Sequence, residues 1–139
     1  MTLLTERRLL QLIVAIACLI PLTAGGLGVI EGPGWLRGVP DAGISDDLNS
    51  HFRYVSGIFF GVGVGFASCI PRIEIRGRRF RLLSALIVCG GAARLFSLLT
   101  VGTPSTGHIF GLVMELVIVP LLALWQMRIE RLSAPIRIR

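Results

Sequence analysis

Three side chains stand where an apolar helix should carry none. Arg53, Arg94 and Glu115 each fall inside a long hydrophobic stretch. Ionised groups within a membrane span are costly, and they turn toward the protein interior or a wet cavity. Their types point to two chemistries. A guanidinium offers a planar fork of N–H donors that suits phosphate and carboxylate, so Arg53 and Arg94 are candidates to hold an acidic head group. A buried carboxylate can titrate, so Glu115 is a candidate to carry a proton or to act as an acid or base. A third reading is structural: one ion pair with one further arginine locks helices together as polar glue. His51 and His108 open two of the same stretches and complete a polar group of five. Each stands alone on its segment, without a second histidine at ligand spacing, so both read as interfacial and neither metal nor haem is expected.

Other catalytic signals are missing from the sequence. It holds no Ser-His-Asp arrangement, no nucleotide-binding glycine loop and no intramembrane-protease signature. No catalytic residue and no cofactor is therefore assigned. Gly57, Gly61 and Gly65 recur every four residues on the face of Arg53. Such a ladder of small residues lets another helix, or a second copy of the chain, approach closely. His108, Gly111 and Glu115 share one stripe by the same spacing, and Gly90 and Gly91 flank the Arg94 side one turn below. Small residues around the charges leave room for a ligand or a neighbouring helix.

The elements that must position these groups follow from composition. A chain of 139 residues is ordinarily one domain, here 1–139. Its hydrophobic fraction is 53% and its mean hydropathy +0.78, more apolar surface than so small a soluble domain could bury. A bilayer removes that difficulty. A spanning helix needs about 20 mainly apolar residues, and segments near 9–30, 52–70, 80–101 and 108–127 qualify. Period-2 alternation is absent, which argues against a membrane β-barrel. The first segment is too long for a signal-peptide core and no clear cleavage site follows, so it reads as a retained helix. Cys18, Cys69 and Cys89 are odd in number and unpaired in spacing, and read as small buried hydrophobes.

All fourteen basic residues are arginine, and the net charge is +6. No recognition helix, zinc ligand set or aromatic-basic pattern accompanies them, so nucleic acid is not the expected partner. Their distribution is topological. Arg7, Arg8, Arg72, Arg76, Arg78, Arg79, Arg81, Arg128, Arg131, Arg137 and Arg139 fall on one side of the four spans, eleven against Arg37 alone on the other. Cytoplasmic segments hold the excess of basic residues. Both termini and the second connection are expected to face the cytoplasm.

On that topology Arg94 and Glu115 each lie about seven residues from the outer ends of spans 3 and 4, roughly 10 Å deep. The short connection 102–107 makes those spans a tight hairpin, so the two charges should pair. Ser45 ahead of Asp46 and Asp47 marks a helix start before the second span. Gly32-Pro33-Gly34-Trp35 reads as a turn, and Trp35, Tyr54 and Trp125 as interfacial aromatics. Pro21 and Pro120 sit inside spans and should bend them. A faint repeat relates Arg8-Leu9-Leu10-Gln11 to Arg81-Leu82-Leu83-Ser84, His51 to His108, and Arg72-Ile73-Glu74 to Arg128-Ile129-Glu130. It fits two duplicated helical hairpins in parallel orientation.

The strings His51-Phe52-Arg53-Tyr54-x-Ser56-Gly57, Ile70-Pro71-Arg72-Ile73-Glu74, Ala93-Arg94-Leu95-x-Ser97 and Glu115-Leu116-x-x-x-Pro120 can then be read together. They resemble an uncharacterised bacterial family of small four-helix membrane proteins, domain of unknown function 4345. The resemblance covers Arg8 to Gln126, and it implies a four-span all-α bundle in a bacterial inner membrane without implying any chemistry. The expectation is a binding or accessory membrane protein, with an outward-facing polar pocket for an anionic amphiphile such as a lipid or quinone-like molecule. Two alternatives stand beside it. One is an enzyme or proton-coupled carrier using Glu115, the other a structural subunit of a homo-oligomer or larger complex packed through helix 2.

Overall fold

The structure is a computed structural model that describes residues 2–36 and 43–134. Among the described residues every regular element is helical. α1 spans Leu3–Glu31, α2 Asp46–Cys69 and α3 Gly77–Thr100. α4 runs Thr106–Ser133 as one course of helix, with a π-helical turn at Met114–Ile118 between two α-helical parts. All four are long and apolar enough to cross a membrane, the build of a multi-pass membrane protein. The helices overrun the hydropathy-defined spans, α1 by a turn and a half at its start and α4 by as much at its end. Backbone hydrogen bonding continues through the arginine-bearing turns, where hydropathy has already fallen. Arg37 and Asp41 of the first connection, and Arg137 and Arg139 of the tail, lie outside the described residues.

Local chemistry sets the boundaries. Ser45 caps α2 as its position suggests: its Oγ accepts from the Leu48 N–H at 3.1 Å, and Asp46 and Asp47 fill the first turn. α1 stops at Gly32, whose φ of +71° favours glycine. One 3₁₀ turn, Gly32–Trp35, then brings the Leu36 N–H to the Pro33 carbonyl at 3.0 Å. Between α2 and α3 the Arg72 carbonyl accepts from the Ile75 and Arg76 amides at 3.1 and 3.2 Å, which tightens the connector.

The described residues divide into two compact units. One, Leu12–Ile70, is the hairpin of α1 and α2. On α1 the buried positions Val14, Cys18, Pro21, Gly25 and Gly28 recur every three or four residues, the period of one helix face. On α2 the buried positions are Ser56, Val62, Gly63, Phe66 and Cys69. The close approach is made by glycines other than the expected ladder. A Cβ on Gly25 would lie 2.6 Å from the Phe60 backbone nitrogen, and one on Gly63 3.1 Å from Pro21 Cγ. Gly57 stands in ordinary contact with Val29 at 3.8 Å, and Gly61 has nothing within 4 Å among the described residues. Gly65 is half-buried, and its carbonyl accepts from Ser68 Oγ at 2.6 Å. The seam of this hairpin runs through Ser56, Gly63 and Phe66, which sets Gly57 and Gly61 on its flank.

The other unit joins residues 1–11 to Pro71–Arg139. Here the start of α1, the α2–α3 connector and the end of α4 meet through ion pairs: Arg7–Glu74 at 3.2 Å, Arg81–Glu130 at 2.6 Å and Arg128–Glu6 at 3.4 Å. Gln126, fully buried, donates from Nε2 to the Ile73 carbonyl at 2.9 Å. The repeated Arg-Ile-Glu strings carry the same duties twice. Ile73 and Ile129 are both 0% exposed, and Glu74 and Glu130 each pair with an arginine near the start of a hairpin's first helix. In the first instance that arginine is Arg7, one residue before the Arg8 of the sequence repeat.

Candidate functional site

Arg94 and Glu115 pair as their common depth predicts. Arg94 Nε donates to Glu115 Oε2 at 3.0 Å, and Nη2 donates to Oε1 at 3.1 Å. Two parallel bonds of this kind fix orientation as well as distance. Glu115 is buried and Arg94 about one-third exposed.

Two local features bring the carboxylate there. Gly91 on α3 leaves the space: a Cβ on it would stand 2.8 Å from Glu115 Cβ. The π turn Met114–Ile118 places Glu115 in a widened stretch of α4, with the Val119 N–H reaching back to the Met114 carbonyl. Pro120 follows directly. Its ring has no N–H and crowds the preceding turn, and a π turn is one of the ways a helix absorbs such a defect. The wide turn that holds the ionised residue thus lies just ahead of the proline.

His108, one turn into α4, completes the cluster. Arg94 Nη1 meets His108 Nδ1 at hydrogen-bond distance. A guanidinium has donors only, so Nδ1 must accept and the imidazole proton must sit on Nε2. Three of the five guanidinium N–H groups are thereby engaged. The remaining two, and His108 Nε2–H, meet no acceptor among the described residues. Gly111 lies in ordinary contact with the guanidinium at 3.8 Å, while Gly90 and Gly107 have nothing within 4 Å of where a Cβ would be. The cluster thus presents N–H donors, with Glu115 held behind them.

Arg53 serves elsewhere, in the unit formed by α1 and α2. Its Nε donates to Asn49 Oδ1 at 2.7 Å, and its Nη1 to the Ile30 carbonyl at 2.9 Å and to the Val29 carbonyl. It caps the end of α1, where unsatisfied carbonyls and the negative end of the helix dipole favour a cation. Gly32 makes the room, since a Cβ there would lie 2.9 Å from Arg53 Nη2. His51 is exposed and makes no hydrogen bond among the described residues. Of the five residues singled out in the sequence, the structure brings together Arg94, Glu115 and His108. Arg53 and His51 lie in the other unit.

Sequence reasoning missed the ion-pair network at the arginine-rich end. The signal was there: Glu6, Glu74 and Glu130 each lie within a few residues of an arginine run, and Gln126 interrupts an apolar stretch. No group of three histidine, cysteine or acidic residues arranged to hold a metal occurs among the described residues.

The model of a protein family described as a domain of unknown function, DUF4345, matches residues 9–126. The chain belongs to this family. The DUF4345 match takes in Arg53, Arg94, His108 and Glu115 and stops before Arg128 and Glu130. No curated protein and no solved structure matches the chain.

Proposed function

We propose that this DUF4345 protein is a non-enzymatic binding or accessory protein of a bacterial inner membrane. Its site is the Arg94–Glu115–His108 cluster, and its ligand is the oxygen-bearing head of an anionic amphiphile, a lipid or quinone-like molecule. The observation that carries this reading is the donor-only face of the cluster. Two guanidinium N–H groups and His108 Nε2–H stand without acceptors among the described residues in a stretch of low polarity, and unpaired donors in such surroundings are costly. Oxygens of a carboxylate, a phosphate or a quinone would satisfy them. Glu115 acts as the anchor, because both of its oxygens are taken up by Arg94. That occupation counts against a proton-carrying role. Arg53 is not part of this site, since its Nε is held by Asn49 and its Nη1 by the Val29 and Ile30 carbonyls of α1.

The eleven-to-one arginine count supports cytoplasmic termini, which would put the cluster in the outer half of the spans. The test is native mass spectrometry of protein extracted in mild detergent. Wild type should retain an acidic amphiphile, and His108→Ala should lose it while its thermal midpoint stays within a few degrees. A wild type that carries no such molecule in several detergents refutes the site. The open flank at Gly61 favours a second reading, docking of another copy through α2. Gly61→Leu would then dissociate an oligomer without unfolding the chain.

A further inference from the structure

The Arg94–Glu115 pair balances itself, one guanidinium holding both oxygens of one carboxylate. Between Arg81 and Arg128 the sequence carries no other formal charge. An anion seated on the spare donors of the cluster would bring a negative charge that no side chain in this stretch offsets, and charges in low-polarity surroundings are paired. His108 can supply the balance. The charged group that meets it from α3 is Arg94, and the one on its own stripe of α4 is Glu115. The other titratable residue of the stretch, Cys89, is exposed. His108 Nδ1 accepts from Arg94 Nη1, and that lone pair is where a further proton can go. A proton there turns Nδ1 into a donor, so the bond to Arg94 breaks and Nη1 regains a free N–H. The cluster then offers three guanidinium and two imidazole N–H groups with a net charge of +1, the complement of a singly charged head group. Glu115 is the rival base, but protonating it gives up two charge-assisted bonds, against one at His108.

We propose that an acidic head group enters this cluster together with one proton, which passes from water to His108 Nδ1. The proposal rests on the reading of the cluster as a ligand site. It narrows the occupant to a charged head group, because an uncharged quinone draws no proton.

The experiment uses the full chain in mild detergent, stripped of lipid and titrated with phosphatidylglycerol, whose phosphodiester stays singly charged where histidine titrates, between about pH 8 and about pH 5.5. One linked proton changes affinity by up to about tenfold per pH unit. Wild type should bind about tenfold or more tightly at the lower pH. His108→Gln keeps an acceptor for Arg94 and a donor for the ligand without titrating, so its affinity should vary by less than about twofold. His51→Gln, in the other unit, should keep the wild-type slope. Nitrogen-15 NMR follows the proton itself: His108 should be neutral in the lipid-free protein near about pH 7 and become an imidazolium when lipid saturates the site. Equal affinity at both pH values, or a slope that persists in His108→Gln, overturns the coupling and leaves the ligand site standing. Absence of binding at either pH overturns both. Thermal midpoints check that His108→Gln remains folded, and if it does not, the NMR of wild type decides.

Discussion

Arg94 lies side-on to Glu115, its Nε and Nη2 each within about 3 Å of a different carboxylate oxygen. That arrangement consumes both oxygens and leaves the far side of the guanidinium for His108. Neither member of the pair can be removed without stranding the other. Loss of one partner from a buried ion pair costs about 3–5 kcal/mol in proteins generally, and less in a membrane, where snorkelling and water defects relieve it. Arg94→Leu and Glu115→Leu alone should each lower the unfolding midpoint in detergent more than the double variant does. Additive losses in the double variant would refute direct coupling.

The histidine tautomer is a sharper test of the same geometry. Nitrogen-15 NMR of labelled protein at neutral pH should show His108 protonated on Nε2, with a lone pair on Nδ1. A signal from protonated Nδ1 would mean that the Arg94–His108 bond does not exist, since a guanidinium cannot accept.

Arg53 should behave as a helix cap. Hydrogen bonds to charged groups contribute about 1.5–3 kcal/mol, and Arg53→Met should destabilise the protein by an amount in that range. Arg53→Lys should recover part of the loss and His51→Ala should cost nothing measurable. Equal stability of Arg53→Met and wild type in chemical unfolding would remove the capping role.

Glycine substitutions should separate the seam of the first hairpin from its flank. Gly25→Ala forces a methyl group against the Phe60 backbone, and overpacking of this kind costs about 1–3 kcal/mol. Gly61→Ala meets only open space and should leave the monomer's stability unchanged. The reverse order of midpoints would show that the α1–α2 seam is misassigned.

Orientation is checked by reporter fusions that are active only outside the cytoplasm. Activity is expected after Asp41 and Thr103, and silence after Arg78 and Arg139. An active fusion at Arg139 would invert the proposed topology.

The four helices were legible because hydropathy and length suffice to define a spanning segment. Ser45 and the two aspartates after it were legible because a cap is a local motif. The Arg94–Glu115 pair could also be read in advance, since a short connection and equal depth leave few alternatives. The partners of Arg53 were not legible, for an instructive reason. They are the neutral Asn49 side chain and backbone carbonyls of α1, and carbonyls leave no mark in a sequence, so counting charged side chains made Arg53 look unsatisfied. The seam within the first hairpin was not legible either: spacing of four finds a straight ladder, whereas the α2 seam runs through Ser56, Gly63 and Phe66 and needs α1 to locate it. His108 read as an interfacial residue because its bond depends on a side chain fourteen positions away.

The wide turn at Met114–Ile118 also bears on how this segment tolerates changes in length. A π turn accommodates one residue more than the α-helical course around it, as an insertion would. Deleting a residue from a regular transmembrane helix rotates everything beyond it by about 100° and turns one side of the span away from its neighbours. Deleting Val117 or Ile118 should instead let α4 relax toward the α form, keeping Leu122, Gln126 and Ile129 near their present register. The price would fall on Glu115, which would lose the turn that presents it to Arg94. Length variants at this one point should therefore uncouple folding from the cluster, yielding a protein that still inserts but no longer holds its ion pair.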